Sequence, residues 1–317
     1  MESFSAIGLG DHVTIKVSTE ELPHKPASIL QISVLRPSVN PNTVASGAVI
    51  LLKVSIVSGD DHVPMLRVRP DAKSLPVARV EIYFSVDPDP RARFWRSAEV
   101  HHESEGYIAH LPIHTHDLPL FAFANVYHTL PKPESLAQIP GYAKPVTELC
   151  LSSLFHSHCA DEIKQANPKL TAKPSTLIDD FTHGTRDWYA LNAGNATHQQ
   201  LWTRKVTDPL WRGPEGSKLA ISLKLLQTNR LSIVLQQNEW RSYRGPRRTS
   251  VCQREIQGSN APQTLTLALS DFTSAEGSPT NWSEIDQLGL CANHGLPANE
   301  VPLWKGPAPE FLRVAWE

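Results

Sequence analysis

The segment SKLAISLKLLQTNRLSIVLQQ, residues 217–237, decides the fold class. From Leu219 to Leu225, leucine or isoleucine occupies every second position, with alanine, serine and lysine between. After the turn residues TNR, the alternation returns at Leu231, Ile233 and Leu235. A period of two residues is typical of antiparallel strands that bury one face. The segment therefore predicts two consecutive strands of an antiparallel sheet.

The same pattern recurs along most of the chain. Strand-like runs include ASILQISVL, AVILLKVSIV, VARVEIYFSV, GYIAHLP, LPLFAFANVYHTL and QTLTLAL. With 26 prolines and 16 glycines in 317 residues, short strands and irregular connections are favoured over helix bundles. We expect a mostly β protein with two antiparallel β-sandwich domains. The predicted boundaries are an unassigned segment 1–60, a first sandwich 61–156, a linker 157–175 and a second sandwich 176–317.

Charge and hydropathy narrow the function classes. The formal net charge is −2, which argues against a globally basic nucleic-acid binder. No apolar run reaches the roughly 18 residues that a membrane span needs, so we expect neither a nucleic-acid nor a membrane partner. The opening residues lack the basic and apolar regions of a signal peptide, and the compartment stays open.

The loop NEWRSYRGPRRT, residues 238–249, is the leading candidate for ligand contact. It follows a predicted strand and combines two aromatic residues with four arginines. Trp240 and Tyr243 offer flat faces to a sugar ring, and Arg241 and Arg244 offer planar forks to hydroxyl, carboxylate or sulfate groups. In the alternatives, Trp240 folds back onto the sandwich while the arginines pair with local carboxylates, or the loop docks a protein partner. Residues 179–317 contain 14 basic and 14 acidic residues, which disfavours nucleic acid.

Three stretches of the second domain carry a family resemblance: LIDDFTHGTRDWY, KLAISLKLLQTNRLSIVLQQN and QTLTLALSDFTSAEGSPTNWSEIDQLGL. They combine an opening Asp-Asp-Phe, a Leu-x-Asp-Phe corner ending at Phe272 and a Trp-x-x-Ile-Asp turn beginning at Trp282. This pattern resembles the carbohydrate-binding-like jelly rolls of the galactose-binding superfold, including those related to the complex I intermediate-associated family. The resemblance implies a jelly roll for the second domain.

The preceding domain resembles a different family. VARVEIYFSVDPDPRARFWRSAEV, LPLFAFANVYHTLP and TELCLSS are similar to the immunoglobulin-like C-terminal domain of the PhoPQ-activated pathogenicity-related family. The tandem, residues 62–317, resembles the tail of bacterial, planctomycete-type α/β-hydrolases of the dienelactone hydrolase and acetylxylan esterase kind. That resemblance implies a polysaccharide ligand and a hydrolase domain as partner. The resembled proteins are often exported.

The catalytic domains of such hydrolases carry their nucleophile on a GxSxG elbow. No GxSxG motif occurs in this chain. We therefore expect a non-catalytic accessory or binding protein. The alternative is a fragment of a carbohydrate-esterase-type hydrolase whose nucleophile lies upstream. A weaker alternative is a cysteine hydrolase that uses Cys291, which lies in GLCANHG near His294. The prolines that follow prevent a stabilising helix, so a buried strand cysteine is favoured.

Metal binding is expected at most at one place. In similar jelly rolls an ion often lies near the paired chain ends, which suggests Ca²⁺ at Asp179, Asp180 and Glu317, although capping of the first strand is favoured for the two aspartates. No other cofactor is expected. Two histidine-rich stretches, HLPIHTHD (110–117) and CLSSLFHSHC (150–159), meet no complete zinc spacing, so solvated histidines are favoured there. The sequence leaves open the disulfide status of the four cysteines, which are Cys150, Cys159, Cys252 and Cys291.

Overall fold

Antiparallel strands make up most of the regular secondary structure of the described residues. The computed structural model describes residues 61–70, 74–135, 145–275, 277–296 and 300–317, together with the backbone of four strands among the first sixty residues. Strands account for 46% and helices for 7%, which confirms the predicted mostly β class with antiparallel sheets of the sandwich kind. The immunoglobulin-like and jelly-roll assignments stay predictions. Within the described residues, no helix is long and apolar enough to cross a bilayer.

The chain divides into two compact units. Unit 1 comprises Met1–Val86 and Trp95–Thr171, and unit 2 comprises Asp87–Phe94 and Ala172–Glu317. The elements of unit 1 are β1 Ser3–Ser5, β2 Thr14–Lys16, β3 Ile29–Ser33, β4 Val49–Ser58, β5 Pro64–Pro70, β6 Val77–Ser85, β7 Arg96–Ala98, β8 His101–Glu103, β9 Gly106–His110, β10 Leu120–Glu134, β11 Val146–Ser152, β12 His156–His158 and α1 Ala160–Ala166. Those of unit 2 are β13 Leu177–Asp179, β14 Tyr189–Leu191, β15 Gln200–Thr203, β16 Leu219–Leu225, β17 Asn229–Gln237, β18 Arg248–Ile256, β19 Ser259–Leu267, β20 Ile285–Cys291 and β21 Glu310–Trp316.

Unit 1 contains two five-stranded sheets that share one core. The first has the order β3-β4-β5-β9-β8, and the second has the order β11-β10-β6-β7 with β12 also paired to β10. Alternate residues of β10 point inward and are fully buried, from Leu120 to Val126, where they meet Leu66 of β5 and Ile82 of β6. The strand-like runs predicted within residues 1–60 correspond to β3 and β4. The remainder of that unassigned segment lies outside the described residues.

The predicted linker 157–175 contains the short helix α1. The Glu162 carboxylate accepts a hydrogen bond from the Cys159 backbone N–H at 2.8 Å, which holds the first turn. Ile163 is 4% exposed and joins the core of unit 1. Because the boundary between the units falls after Thr171, the predicted linker is divided between them.

Unit 2 also contains two sheets. A four-stranded sheet has the order β13-β21-β16-β19, and a five-stranded sheet has the order β14-β15-β20-β17-β18. The last strand pairs with the first, Leu177 facing Ala315, as predicted from the closure of a sandwich. The alternating residues of the segment 217–237 form the core: Leu219, Ile221, Leu223 and Leu225 of β16, with Leu231, Ile233 and Leu235 of β17, are at most 1% exposed.

Residues 87–94 belong to unit 2, although the predicted first domain includes them. Within unit 2, the ring of Phe94 meets Trp211 edge-on at 5.6 Å between centroids. Arg93 Nε donates to the Asp87 carbonyl at 2.7 Å, and the Asp89 backbone N–H donates to the Asp87 carboxylate at 2.9 Å. The segment is thus a compact turn that places two aspartates against the body of unit 2.

Candidate ligand-binding face of unit 2

The candidate loop connects β17 to β18 and is held in one conformation. Asn238 has a φ of 56°, a left-handed conformation that asparagine tolerates better than most residues. Its side-chain amide donates to the Pro246 carbonyl at 3.1 Å, which closes the loop. The hydrogen-bonded turn runs from Arg241 to Arg244, with 2.8 Å between the Arg244 nitrogen and the Arg241 oxygen. The turn therefore lies before Gly245 and Pro246.

Arg241 is committed to a buried ion pair within unit 2. Its guanidinium donates to the Asp87 carboxylate, and its Nε lies 3.5 Å from the Asp89 carboxylate. The three side chains are only 8%, 7% and 2% exposed. Charges at this depth are stable only when paired. Arg241 is thus a structural residue of unit 2, and its predicted role as a ligand contact does not fit its position, because its guanidinium is buried against two carboxylates.

Tyr243 and Arg244 lie further out on the same turn. The Tyr243 hydroxyl donates to the Asp89 carboxylate at 2.7 Å, while the residue is 68% exposed. Burial acts to raise the pKa of Asp89, but Tyr243, a backbone N–H and the charge of Arg241 together hold it below its usual range. The Arg244 guanidinium lies 5.8 Å from the Tyr243 ring centroid. These two predicted contacts are exposed, but Tyr243 is anchored by its hydroxyl.

Trp240 immediately precedes that turn, and its side chain belongs to a different group of polar and aromatic residues. Its indole N–H donates to the Gln287 side-chain oxygen at 2.8 Å, and the Gln287 amide nitrogen donates to the Tyr189 hydroxyl oxygen at 2.6 Å. Gln287 is 4% exposed, whereas Trp240 and Tyr189 are 36% and 37% exposed. One buried amide group therefore fixes two partly exposed aromatic rings close to each other.

Arg204 completes this group, which we call the Trp240 face: Tyr189, Arg204, Trp240 and Gln287. The Arg204 guanidinium carbon lies 4.9 Å from the Trp240 ring centroid, within the range of a cation–π contact. One of its nitrogens donates to the Arg91 carbonyl oxygen at 2.8 Å. Burial raises the pKa of Tyr189, and the nearby charge of Arg204 opposes that shift.

The strand order explains why these residues meet. Tyr189 of β14 faces Trp202 of β15, which faces Gly289 of β20, and Gly289 also faces Val234 of β17. Trp202 fills the space above Gly289, where an added Cβ would lie 2.5 Å from the indole ring. Gln287, two residues before Gly289, lies on the same surface. The Trp240 face therefore lies on the outer surface of the five-stranded sheet.

No family model, curated protein or solved structure matches the chain. Two partly exposed aromatic rings, a hydroxyl and a guanidinium are the groups that stack on a flat apolar surface and bind its polar substituents.

The predicted calcium ligands are separated by the register of their strands. Asp179 faces Val314 and Leu177 faces Ala315, so Glu317 lies past Leu177 rather than beside Asp179. Asp179 accepts hydrogen bonds from the Phe181 backbone and the Trp188 indole, both at 2.8 Å. The hydroxyl and backbone of Thr182 hold the pKa of Asp180 below its usual range. Glu317 lies 3.7 Å from Arg313. The aspartates therefore serve as local hydrogen-bond acceptors.

The side chains of the two histidine-rich stretches contact other groups of unit 1. His116 contacts the Pro168 carbonyl at 2.7 Å, and Asp117 pairs with Lys164 at 3.1 Å. Burial, together with the neighbouring His158, lowers the pKa of His156. In the part of the chain that the structure describes, no group of three or more histidine, cysteine or acidic side chains is arranged to hold a metal ion.

Cys291 is a buried strand residue. It lies in β20 with no exposed surface, and burial raises the pKa of its thiol to about 12. It packs with Trp202 and Val234 on the outer side of the five-stranded sheet. A thiol with this pKa is protonated at neutral pH and is a poor nucleophile. The geometry gives no support to the cysteine hydrolase alternative.

Tyr189, Arg204 and Gln287 are the members of the Trp240 face that the sequence did not reveal. Gln287 is 98 positions from Tyr189 and 47 from Trp240. Tyr189 follows Trp188 and Arg204 precedes Lys205, but neither stretch is as rich in aromatic and basic residues as the loop 238–249. Only the pairing of β14, β15 and β20 brings them together.

Proposed function

We propose that this chain is a non-catalytic binding protein whose second unit binds a plant-wall or algal polysaccharide at the Trp240 face. The observation that carries the proposal is the pair of aromatic rings, Trp240 and Tyr189, each just over one-third exposed and both bound to the buried Gln287 amide. A ligand that meets fixed rings loses less free energy to side-chain ordering on binding.

The chemistry of the face suits a sugar. The apolar C–H groups of a pyranose ring pack on the exposed part of the indole, as bases stack on aromatic side chains. The Tyr189 oxygen already accepts from Gln287, so its own O–H remains available to donate to a sugar oxygen. The resemblance to hydrolase tails supports the same ligand class and suggests an α/β-hydrolase domain of the carbohydrate esterase type as partner.

Affinity electrophoresis in native gels tests the proposal. Wild type should be retarded by at least one of xylan, pectin and a sulfated galactan. Trp240→Ala should lose about 1 to 3 kcal/mol of binding, by comparison with base stacking on an aromatic residue, and Tyr189→Ala should also bind more weakly. Phe155→Ala, which removes a 59% exposed ring in unit 1, is the control and should migrate like wild type.

Melting temperatures separate binding from folding. Trp240→Ala and Tyr189→Ala each remove a hydrogen-bond partner of the buried Gln287 amide, so a loss of about 1 to 3 kcal/mol in stability is expected beside the loss of binding. If none of the three polysaccharides retards the wild type, the proposal fails. It also fails if Trp240→Ala melts well below wild type while its retardation is unchanged, since Trp240 would then be a structural residue.

A further inference from the structure

We infer that the polysaccharide is acidic and that Arg204 binds the carboxylate or sulfate group of a sugar unit stacked on Trp240. This inference rests on the proposed function and adds the charge of the ligand. It begins from the position of Arg204, which is half-buried on the sheet surface and carries a full positive charge.

Arg204 differs in its partners from four other cationic residues of unit 2. Arg241, Arg247 and Arg254 each lie within ion-pairing distance of a carboxylate, and so does the buried Lys205. Among the described residues, no carboxylate lies within that distance of Arg204. Its contacts are the Arg91 carbonyl oxygen and the Trp240 ring. Partly buried charges are usually paired, so an anionic group from a ligand would complete this environment.

The carboxylates nearest in sequence to the face are already engaged. Asp187 binds Lys205 at 2.5 Å, and Glu239 forms a two-pronged ion pair with Arg247. Asp286 is 1% exposed, and its carboxylate accepts hydrogen bonds from the backbone N–H groups of Glu239 and Trp240 at 3.3 and 3.5 Å. These side chains consequently offer little competition for an anionic ligand at Arg204.

The geometry also defines how the ligand is held. A guanidinium has five N–H donors in a planar fork, and one of those of Arg204 is used by the Arg91 carbonyl. Because the guanidinium lies next to the Trp240 ring, a sugar that packs on the exposed part of the indole can direct an anionic substituent to Arg204, with the Tyr189 hydroxyl as a second donor. Arginine can hold two oxygens of a carboxylate or sulfate at once, which a lysine cannot.

Matched polysaccharides test the inference. Pectate is compared with highly methyl-esterified pectin, which has the same backbone with its carboxylates masked. A sulfated galactan is compared with its desulfated form. Preference for pectate within the first pair identifies a carboxylate, and preference for the sulfated form within the second identifies a sulfate. We expect wild type to bind the charged member of one pair about tenfold more tightly, since hydrogen bonds between charged groups are the strong ones.

Substitutions at Arg204 test whether this residue causes the preference for charged polysaccharides. Arg204→Gln should abolish the preference for the charged member of the pair while retaining weak binding to both members. Arg204→Lys should keep part of that preference. Arg313→Gln removes the same charge from β21 and is the control, which should bind as wild type does. Because Arg204→Gln could also disturb folding, wild type is measured across a salt series, in which binding of the charged member should weaken and that of the neutral member should not.

Three results overturn the inference. The first is equal binding of charged and neutral members by wild type, in which case polysaccharide binding stands and only the charge assignment fails. The second is an unchanged preference in a folded Arg204→Gln variant. Absence of binding to all members of both pairs also overturns the inference, and the proposed function fails with it if xylan does not bind either.

Discussion

Replacing Arg241 with methionine should destabilise unit 2 by about 3 to 5 kcal/mol, the usual cost of leaving a buried charge without its partner. Methionine retains most of the aliphatic stem but removes the guanidinium. Asp87 and Asp89, whose side chains are 7% and 2% exposed, would then face each other without that cation. The Tyr243 hydroxyl and the backbone N–H groups remain as donors, so we expect the lower part of this range.

The same loop provides a matched control. Arg247 forms an ion pair with Glu239, but its side chain is 60% exposed. Exposed pairs contribute less than about 1 kcal/mol, so Arg247→Met should change the free energy of unfolding only slightly. A further Asp87→Asn substitution in the Arg241→Met protein should recover part of the loss, because it removes one of the two neighbouring carboxylate charges.

Urea unfolding followed by tryptophan fluorescence measures these differences. Seven of the eight tryptophans lie between residues 188 and 316, so the signal reports mainly on unit 2. A free energy of unfolding for Arg241→Met within error of Arg247→Met would refute the reasoning, since the buried pair would then contribute no more than an exposed one.

Three further predictions concern titration, thiol reactivity and packing. The pKa of Asp89 is lower in the folded protein than in the unfolded chain. The ionised Asp89 therefore contributes its full stabilisation above the ordinary carboxyl pKa, and this stabilisation is lost as the pH falls through the folded pKa. Urea midpoints measured from neutral pH into the acid range should fall, and they should fall less steeply in Asp89→Asn. Two of the four thiols should react with Ellman's reagent in the native protein and all four after unfolding, and a third native reaction would contradict the burial described here. The exposed pair is Cys150 and Cys159, and the buried pair is Cys252 and Cys291. Gly289→Ala should cost about 1 to 3 kcal/mol, because the new methyl group overlaps the Trp202 ring; an unchanged melting temperature would contradict this packing.

The class and much of the core of this fold follow from the sequence, because burial of one strand face imposes a period of two. Leu219 to Leu225 display that period and are buried as predicted. The pattern fails for β17, where Val234 points to the outer surface and is nevertheless fully buried. Trp202, which lies on another strand, packs over that surface and buries Val234. The alternation of residues along one strand does not reveal which side chains of other strands pack on its outer face.

The candidate site was predicted only in part, for the same physical reason. An aromatic residue beside arginines indicates a binding loop, but it does not reveal which arginine finds a carboxylate. Arg241 meets Asp87, which is 154 positions away, and Trp240 meets Gln287 through strand pairing. Contacts at this separation depend on the order of strands in the sheet, which local propensity does not specify.

The most direct test of the account is whether the Trp240 indole contacts a sugar. In a ¹H–¹⁵N spectrum of the protein, the indole N–H signal of Trp240 can be assigned by its loss in Trp240→Phe. Titration with oligosaccharides from pectate, xylan and a sulfated galactan should shift this signal saturably for at least one of them, while the indole signal of the core residue Trp282, which is 1% exposed, stays in place. If no oligosaccharide moves the Trp240 signal, or if the shifts fall on other tryptophans instead, the Trp240 face is not a polysaccharide-binding site.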